Sequence, residues 1–368
     1  MKLVKEIIDS IIRTGLTPPK MITIMITNRC NLSCRHCLPE SQFHNTAHPI
    51  PTDAIKRLIE ESAHLGVEEI CLTGGEPLMH PEWFEILSFA CGHKSLKRVR
   101  LQTNGTLLTE FDIKALCSID SKRLTIQVSL EGSTKETHDR VRGAGNFEQV
   151  IQGLKLLTEA GLGQQVVIAF TEMQHNFADI PDLCRLIDGL GIRSLVTGTL
   201  VYGGRAVQKN QIAPPTPSQY SDLLSRYHSD PKFKVLYQKI GNIAAIEWFI
   251  GKSYPATSYC KCIEKPYIDT SGMMYPCLLL PIEKLAIKNV YSRPLNNVLF
   301  EGLSLWAELS DLYHRRTVEL EACNDCLGKQ HCAGGCMGRA YAATGDFMNV
   351  EDRCALRKMV YSWESKMI

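Results

Sequence analysis

No apolar run in this chain approaches the ~20 residues needed to span a bilayer. An export signal is lacking too. Residues Met1–Gly15 read as an amphipathic helix in which Lys2, Lys5, Glu6, Asp9 and Arg13 interrupt Leu3, Val4, Ile7, Ile8, Ile11 and Ile12. A signal peptide would keep that apolar stretch whole. Charge of one sign is not in excess: 41 Lys and Arg stand against 39 Asp and Glu, for a net charge of +2. Neither nucleic acid nor an anionic membrane is therefore expected as a partner. The short basic stretch His93–Arg98 reads as a solvated element end. Internal repeats and low-complexity tracts are also missing. These absences lead to an expected cytoplasmic, reducing location.

Cysteine is the exception. Fifteen occur in 368 residues, an odd number that suits no closed disulfide framework. In a reducing compartment, clustered thiols point to metal.

Strand-like and helix-like segments alternate from 21 to 197. Strands are expected at Met21–Thr27, Glu69–Thr73, Arg98–Gln102, Arg123–Leu130, Gln165–Thr171 and Ser194–Thr197. Helices are expected at Ala54–Leu65, with Thr52 or Asp53 as N-cap, and at Pro81–Ala90, Glu110–Ser118, Phe147–Ala160 and Ile180–Leu190. Such alternation implies an α/β fold with a parallel sheet and helices outside. Six units are too few to close an eight-stranded barrel, so a partial (β/α)6 TIM-like barrel is expected. The polar turns Asn28–Cys37, Gly74–Pro77, Thr103–Gly105 and Glu131–Gly132 all follow strands. They should meet at the carboxyl face, where parallel α/β folds place their sites. After Thr199 the texture changes. Ala213-Pro214-Pro215-Thr216-Pro217 leads into a helix at Ser218–His228, and eight cysteines fall beyond residue 259. The expected organisation is an N-terminal helix (1–20), the barrel (21–229) and a cysteine-rich auxiliary domain (230–368).

Cys30, Cys34 and Cys37 have CxxxCxxC spacing. Three thiolates on one loop would wrap an iron–sulfur cubane and leave its fourth iron open. A zinc site would want a fourth protein ligand, for which His36 is the candidate. On spacing alone both metals stay open.

Together with Gly74-Gly75-Glu76-Pro77, this loop resembles the radical SAM superfamily, whose hallmarks are CxxxCxxC after the first strand and GGEP after the second. The resemblance implies a [4Fe–4S] cluster on Cys30, Cys34 and Cys37, with the methionine part of S-adenosylmethionine (SAM) on the open iron. The Gly74-Gly75 turn, with Glu76 and Pro77, would receive the methionine ammonium. His36 would pack near adenine. Thr103-Asn104-Gly105 matches the family's TNG, which brings Asn104 to the site. Ser129-Leu130-Glu131-Gly132 resembles its SLDG, with Ser129 near the ribose or methionine end and Glu131 replacing the usual Asp. His138–Gly143 resembles HDxxRG, where Arg142 would face the SAM carboxylate or else pair with loop acids.

A second cysteine series reads CX9GX4C at Cys262 and Cys277, then CX2CX5CX3C at Cys323, Cys326, Cys332 and Cys336, then Cys354. It resembles the SPASM extension of radical SAM enzymes, with a zinc knuckle as the alternative. The resemblance implies two auxiliary clusters, expected as [4Fe–4S]. One would sit on Cys323, Cys326, Cys332 and Cys354. The other would sit on Cys262, Cys277 and Cys336, with Cys260 as the candidate fourth ligand. Cys71, Cys91, Cys117 and Cys184 lie in apolar contexts and read as buried small hydrophobes. Gly203-Gly204-Arg205-Ala206 reads either as part of the substrate mouth or as a structural turn.

The implied activity is reductive cleavage of SAM to a 5′-deoxyadenosyl radical that takes hydrogen from a substrate. A ribosomally made peptide or protein side chain is the first choice of substrate. A small molecule of the tetrapyrrole or haem pathway, or anaerobic sulfatase maturation, is the alternative. A non-catalytic iron–sulfur electron carrier or redox sensor would need the thiolates but not GGEP. The implied partners are a flavodoxin or ferredoxin-type reductant and, since about twenty residues precede the first strand, either a separate leader-peptide recognition protein or a leaderless substrate.

Overall fold

The computed structural model describes residues 2–43, 50–119, 122–208, 212–252, 260 and 263–364. Six parallel strands form in chain order: β1 (Met21–Met25), β2 (Glu69–Thr73), β3 (Arg98–Thr103), β4 (Leu124–Ser129), β5 (Val166–Glu172) and β6 (Ser194–Thr199). Each pairs with its predecessor, starting from Met21 opposite Glu69. Ile22, Thr23, Ile24 and Met25 are all buried. A run that is apolar on both faces is what a parallel sheet covered on both sides requires. The intervening helices pack outside, and their buried residues join the strands in one core. This is the partial (β/α)6 barrel that the alternation predicts.

The sheet does not end at β1. Two short strands from the C-terminal part, β7 (Tyr267–Ile268) and β8 (Met274–Tyr275), extend it to the order β6-β5-β4-β3-β2-β1-β7-β8. β7 runs parallel to β1, and β8 is antiparallel to β7. The 25-residue helix Leu295–Glu319 crosses back to the N-terminal helix Lys2–Arg13, where the Ser310 hydroxyl donates to the Gly15 carbonyl at 3.0 Å. On the other flank, Ala244–Gly251 starts beside β6, where the Ala244 amide donates to Thr197 Oγ1 at 3.0 Å. The last helix, Cys354–Ser362, closes over this flank, with Trp363 edge-on to Phe249. No helix among the described residues is long and apolar enough to cross a membrane.

Two expectations are corrected. Thr52 does not cap its helix. It is the first helical residue after Pro51, and its hydroxyl donates to the Glu82 carboxylate instead. Cys117 is exposed rather than buried, because it closes the short helix Glu110–Cys117, whose inward face is Ile113 and Leu116. Cys71, Cys91 and Cys184 are buried as expected. Between β4 and the helix Asn146–Glu159 the chain forms an additional helix, Lys135–Arg142: Thr134 caps it and Gly143, at φ +103°, ends it.

Candidate SAM and iron–sulfur site

The carboxyl ends of the strands surround a cavity of about 550 Å3, within the usual range of about 300–1,000 Å3 for small-molecule sites. Cys30, Cys34 and Cys37 line it together with His36, Gly74, Gly75, Asn104, Ser129 and Arg142. Most of the side chains expected at the site therefore converge. Among the described residues no three His, Cys, Asp or Glu side chains meet closely enough to hold a single metal ion. The thiols ring a volume instead. Burial pushes the Cys30 thiol up to about 12, and Cys34 is raised for the same reason. Three thiols around one cavity are the donor set of a cluster, which binds them as thiolates.

Glu76 and Pro77 do not line the cavity. Pro77 is buried at the head of a short turn. Glu76 is fully buried behind the wall, and its carboxylate accepts from Thr103 Oγ1 (2.7 Å), the Asn104 amide (2.7 Å) and the Leu78 amide (3.2 Å). It ties the end of β2 to the end of β3. Burial raises its carboxyl to about 7. Asn104 continues the chain of contacts by donating to Asn31 Oδ1 (2.9 Å) on the cysteine loop. Glu76→Gln would turn an amide donor towards donors. It is expected to cost about 1–3 kcal/mol of stability in urea unfolding; a wild-type midpoint would contradict this bonding.

The cavity-facing part of GGEP is the diglycine. A Cβ on Gly74 would stand 2.7 Å from the Thr27 carbonyl oxygen, and one on Gly75 would stand 2.4 Å from that of Arg29. Only glycine lets this turn zip onto the cysteine loop, where Gly75 N donates to Thr27 O (2.7 Å) and Glu76 N to Arg29 O (2.8 Å).

The HDxxRG segment has three distinct roles in the structure. His138 Nδ1 accepts from the Glu131 amide at 3.1 Å, and burial holds the ring neutral with a pKa near 4. Asp139 accepts from the Gly145 and Phe147 amides (2.7 and 2.8 Å), capping the next helix. Arg142 pairs with Glu131 at 2.6 Å, and its Nη1 lies 3.9 Å from Cys34 Sγ. Burial, the largest single influence, opposes ionisation of Glu131, but the Arg142 guanidinium and the His36 ring together outweigh it and hold the carboxyl well below the usual range. Glu131 also accepts from the Thr171 amide (2.7 Å) and faces His36 Nε2 at 3.4 Å. The pairing of Arg142 with a loop acid is thus present, on the cavity wall. The buried His36 Nδ1 has no hydrogen-bond partner, leaving a polar atom for a ligand.

Sequence reasoning left the role of Arg205 open. Its Nε donates to Cys34 O (2.8 Å), its Nη1 to Ser41 O (2.9 Å) and its amide to Cys37 O (3.1 Å). Gly204, at φ +53°, brings this turn so close that a Cβ would lie 2.4 Å from the Cys37 and Leu38 carbonyls. The turn clamps the cysteine loop, and Arg205 also lines the cavity.

Cys323, Cys326, Cys332 and Cys354 line a second, smaller cavity together with Gly334, Glu351 and Arg357. Cys260, Cys277 and Cys336 form another group whose thiols raise one another's pKa, after burial, which pushes Cys277 up to about 12. Cys262 lies outside the described residues. Two features join this region to the first cavity. Leu278, next to Cys277, lines it. Arg339, three residues past Cys336, donates to the carbonyls of cavity-lining Thr199 and Leu200 (3.0 and 2.5 Å) and pairs with Asp352. Arg339 carried no signal in sequence, being a lone arginine in an ordinary helix.

A model of the radical SAM superfamily matches residues 24–187. The AdoMet-dependent heme synthase of Methanosarcina barkeri is 30% identical over 367 residues, covering 92% of this chain and 97% of that protein. The chain belongs to the radical SAM superfamily. It is accordingly an enzyme, and membership implies a [4Fe–4S] cluster and SAM. The antilisterial bacteriocin subtilosin biosynthesis protein AlbA of Bacillus subtilis is 32% identical over 323 residues, covering 86% of this chain and 67% of that protein. The fold matches Streptococcus suis SuiB, solved bound to precursor peptide SuiA, with a TM-score of 0.74 at 16% identity, covering 95% of this chain and 78% of that one.

Proposed function

We propose that this radical SAM enzyme is a SPASM-type maturase that oxidises or crosslinks a side chain of a ribosomally made peptide or protein. The observation that carries this reading is the convergence of Cys30, Cys34, Cys37, Gly74, Gly75 and Arg142 on one cavity whose wall also includes Leu278 beside Cys277. A second thiol set reached through Leu278, the neighbour of Cys277, suits an oxidation, in which the substrate must give up an electron after losing hydrogen. When bound, the cluster and SAM supply a 5′-deoxyadenosyl radical, the species that removes hydrogen from an unactivated carbon.

The chain's own residues hold and shield. Cys30, Cys34 and Cys37 are assigned to the SAM-binding cluster. The Gly74-Gly75 backbone, braced by Glu76 and Pro77, is assigned to the methionine ammonium. Arg142 is assigned to the SAM carboxylate, His36 to the adenine end, and Ser129 and Asn104 to the remaining polar edge. Cys323, Cys326, Cys332 and Cys354 are assigned to one auxiliary cluster. Cys260, Cys262, Cys277 and Cys336 are assigned to the other. The auxiliary domain is assigned to 230–368 and the barrel to 21–229. A flavodoxin or ferredoxin-type reductant, a separate leader-binding protein and a cytoplasmic setting complete the reading.

A tetrapyrrole substrate is the second reading, favoured by the heme synthase match over 97% of that protein. The discriminating experiment gives reconstituted, reduced enzyme SAM together with either an iron porphyrin bearing propionates or the peptide encoded by the nearest small open reading frame. The peptide is expected to lose two hydrogens by mass while the porphyrin is unchanged. A decarboxylated porphyrin would overturn the peptide reading.

A further inference from the structure

Arg316, near the end of helix Leu295–Glu319, is fully buried. Its Nη1 donates to the carbonyls of Phe347 and Asn349, and its Nη2 to those of Gly334 (2.9 Å) and Gly335 (3.4 Å). Its Nε is buried without a hydrogen-bond partner. Among the described residues Arg316 forms no ion pair. Glu351, the buried acid of this region, is taken up by Arg353, Arg357 and the Cys336 amide. Carbonyls solvate a guanidinium but do not neutralise it, and a guanidinium cannot shed its proton in a protein. A buried charge of this kind needs a counter-charge.

Arg316 reaches the loop that joins the two auxiliary thiol sets. The turn that Arg316 holds, Ala333-Gly334-Gly335, is left-handed throughout and separates Cys332 from Cys336. Gly334 lines the cavity of Cys323, Cys326, Cys332 and Cys354. Cys260 and Cys336 of one set and Cys323 of the other lie near enough for their thiolate forms to act on the Arg316 charge. Thiolate-ligated clusters are net anions, so the guanidinium has a counter-charge from each set when both are filled.

We propose that Arg316 is the shared counter-ion of the two auxiliary iron–sulfur clusters and raises the reduction potential of both. This rests on the reading that both thiol sets hold clusters. A fixed positive charge favours the more negative, reduced state of each cluster, and charge and hydrogen bonding are levers on cluster potential.

The test is a redox titration of reconstituted full-length protein, followed by EPR and iron analysis, with wild type beside Arg316→Met and Arg316→Lys. In Arg316→Met both auxiliary midpoints move to lower potential while that of the SAM-binding cluster stays in place. Arg316→Lys keeps them near wild type. If Arg316→Met blocks auxiliary assembly and Arg316→Lys restores it, the need for charge is confirmed. Fully assembled Arg316→Met with unmoved midpoints overturns the proposal alone, as does loss of the auxiliary clusters in both variants, which would make Arg316 a scaffold for its loops. A wild type holding only the SAM-binding cluster overturns the auxiliary reading and this proposal with it.

Discussion

Arg142→Met is expected to cost about 3–5 kcal/mol of stability, because it strips the partner from a carboxylate that stays buried. Glu131 is 1% exposed and Arg142 lies 2.6 Å away. The remaining contacts of Glu131 are the Thr171 amide and the His36 ring at 3.4 Å, the latter well beyond the 2.6 Å of Arg142. The pair also links four segments: the exits of β4 and β5, the helix Lys135–Arg142 and the cysteine loop. Its loss should therefore loosen the cavity wall as well as the fold. Urea unfolding checks the magnitude. The double variant Glu131→Gln with Arg142→Met should regain much of the loss, since it removes the stranded charge. A single-variant loss below about 1 kcal/mol, the level of an exposed pair, would contradict this account of Glu131.

Gly75→Ala should weaken SAM binding by about ten- to a hundredfold, which corresponds to the 1–3 kcal/mol typical of overpacking. The added Cβ meets backbone on one side, with Arg29 O at 2.4 Å and Arg29 C at 2.7 Å, and Ser41 Cβ at 2.8 Å on the other. Backbone cannot rotate away as a side chain can, so the cysteine loop and the diglycine turn must part. Gly92→Ala is the matched control: a Cβ there has nothing within 4 Å, and it should leave SAM affinity unchanged. Equilibrium dialysis of SAM against both reconstituted variants reads the difference. Equal affinity in the two would show that the close approach of Gly75 does not shape the site.

The barrel and the first cavity were largely legible in the sequence because both are written locally. Alternating apolar runs specify strands one at a time, and turns such as Thr103-Asn104-Gly105 follow their strands directly. Some boundaries shifted where strand pairing, rather than composition, decides them: β6 continues to Thr199, which stands opposite Glu172 of β5. Other features depend on distant partners. Glu76 reads as a ligand in its motif, and what the sequence did not show is that its carboxylate also accepts from Thr103 and Asn104 at the end of the next strand. Arg316 and Arg339 belong to no motif and Arg205 only to a short Gly-Gly-Arg-Ala turn, and their importance comes from the carbonyls they reach. The helix Leu295–Glu319 could have been found. Leu295, Val298, Leu299, Gly302, Leu303, Trp306 and Leu309 fall on one face and are buried, but the cysteines on either side of it dominate the reading of that region.

The central claim is that Cys30, Cys34 and Cys37 serve SAM cleavage and are distinct in that role from the eight cysteines that follow residue 259. The direct measurement is 5′-deoxyadenosine formation by anaerobic, reconstituted, reduced protein given SAM, with wild type beside a variant in which those three cysteines are replaced by alanine. Wild type should release 5′-deoxyadenosine. The triple variant should release none while retaining the iron of its auxiliary sites. A wild type that forms no 5′-deoxyadenosine, or a triple variant that still does, would contradict the account.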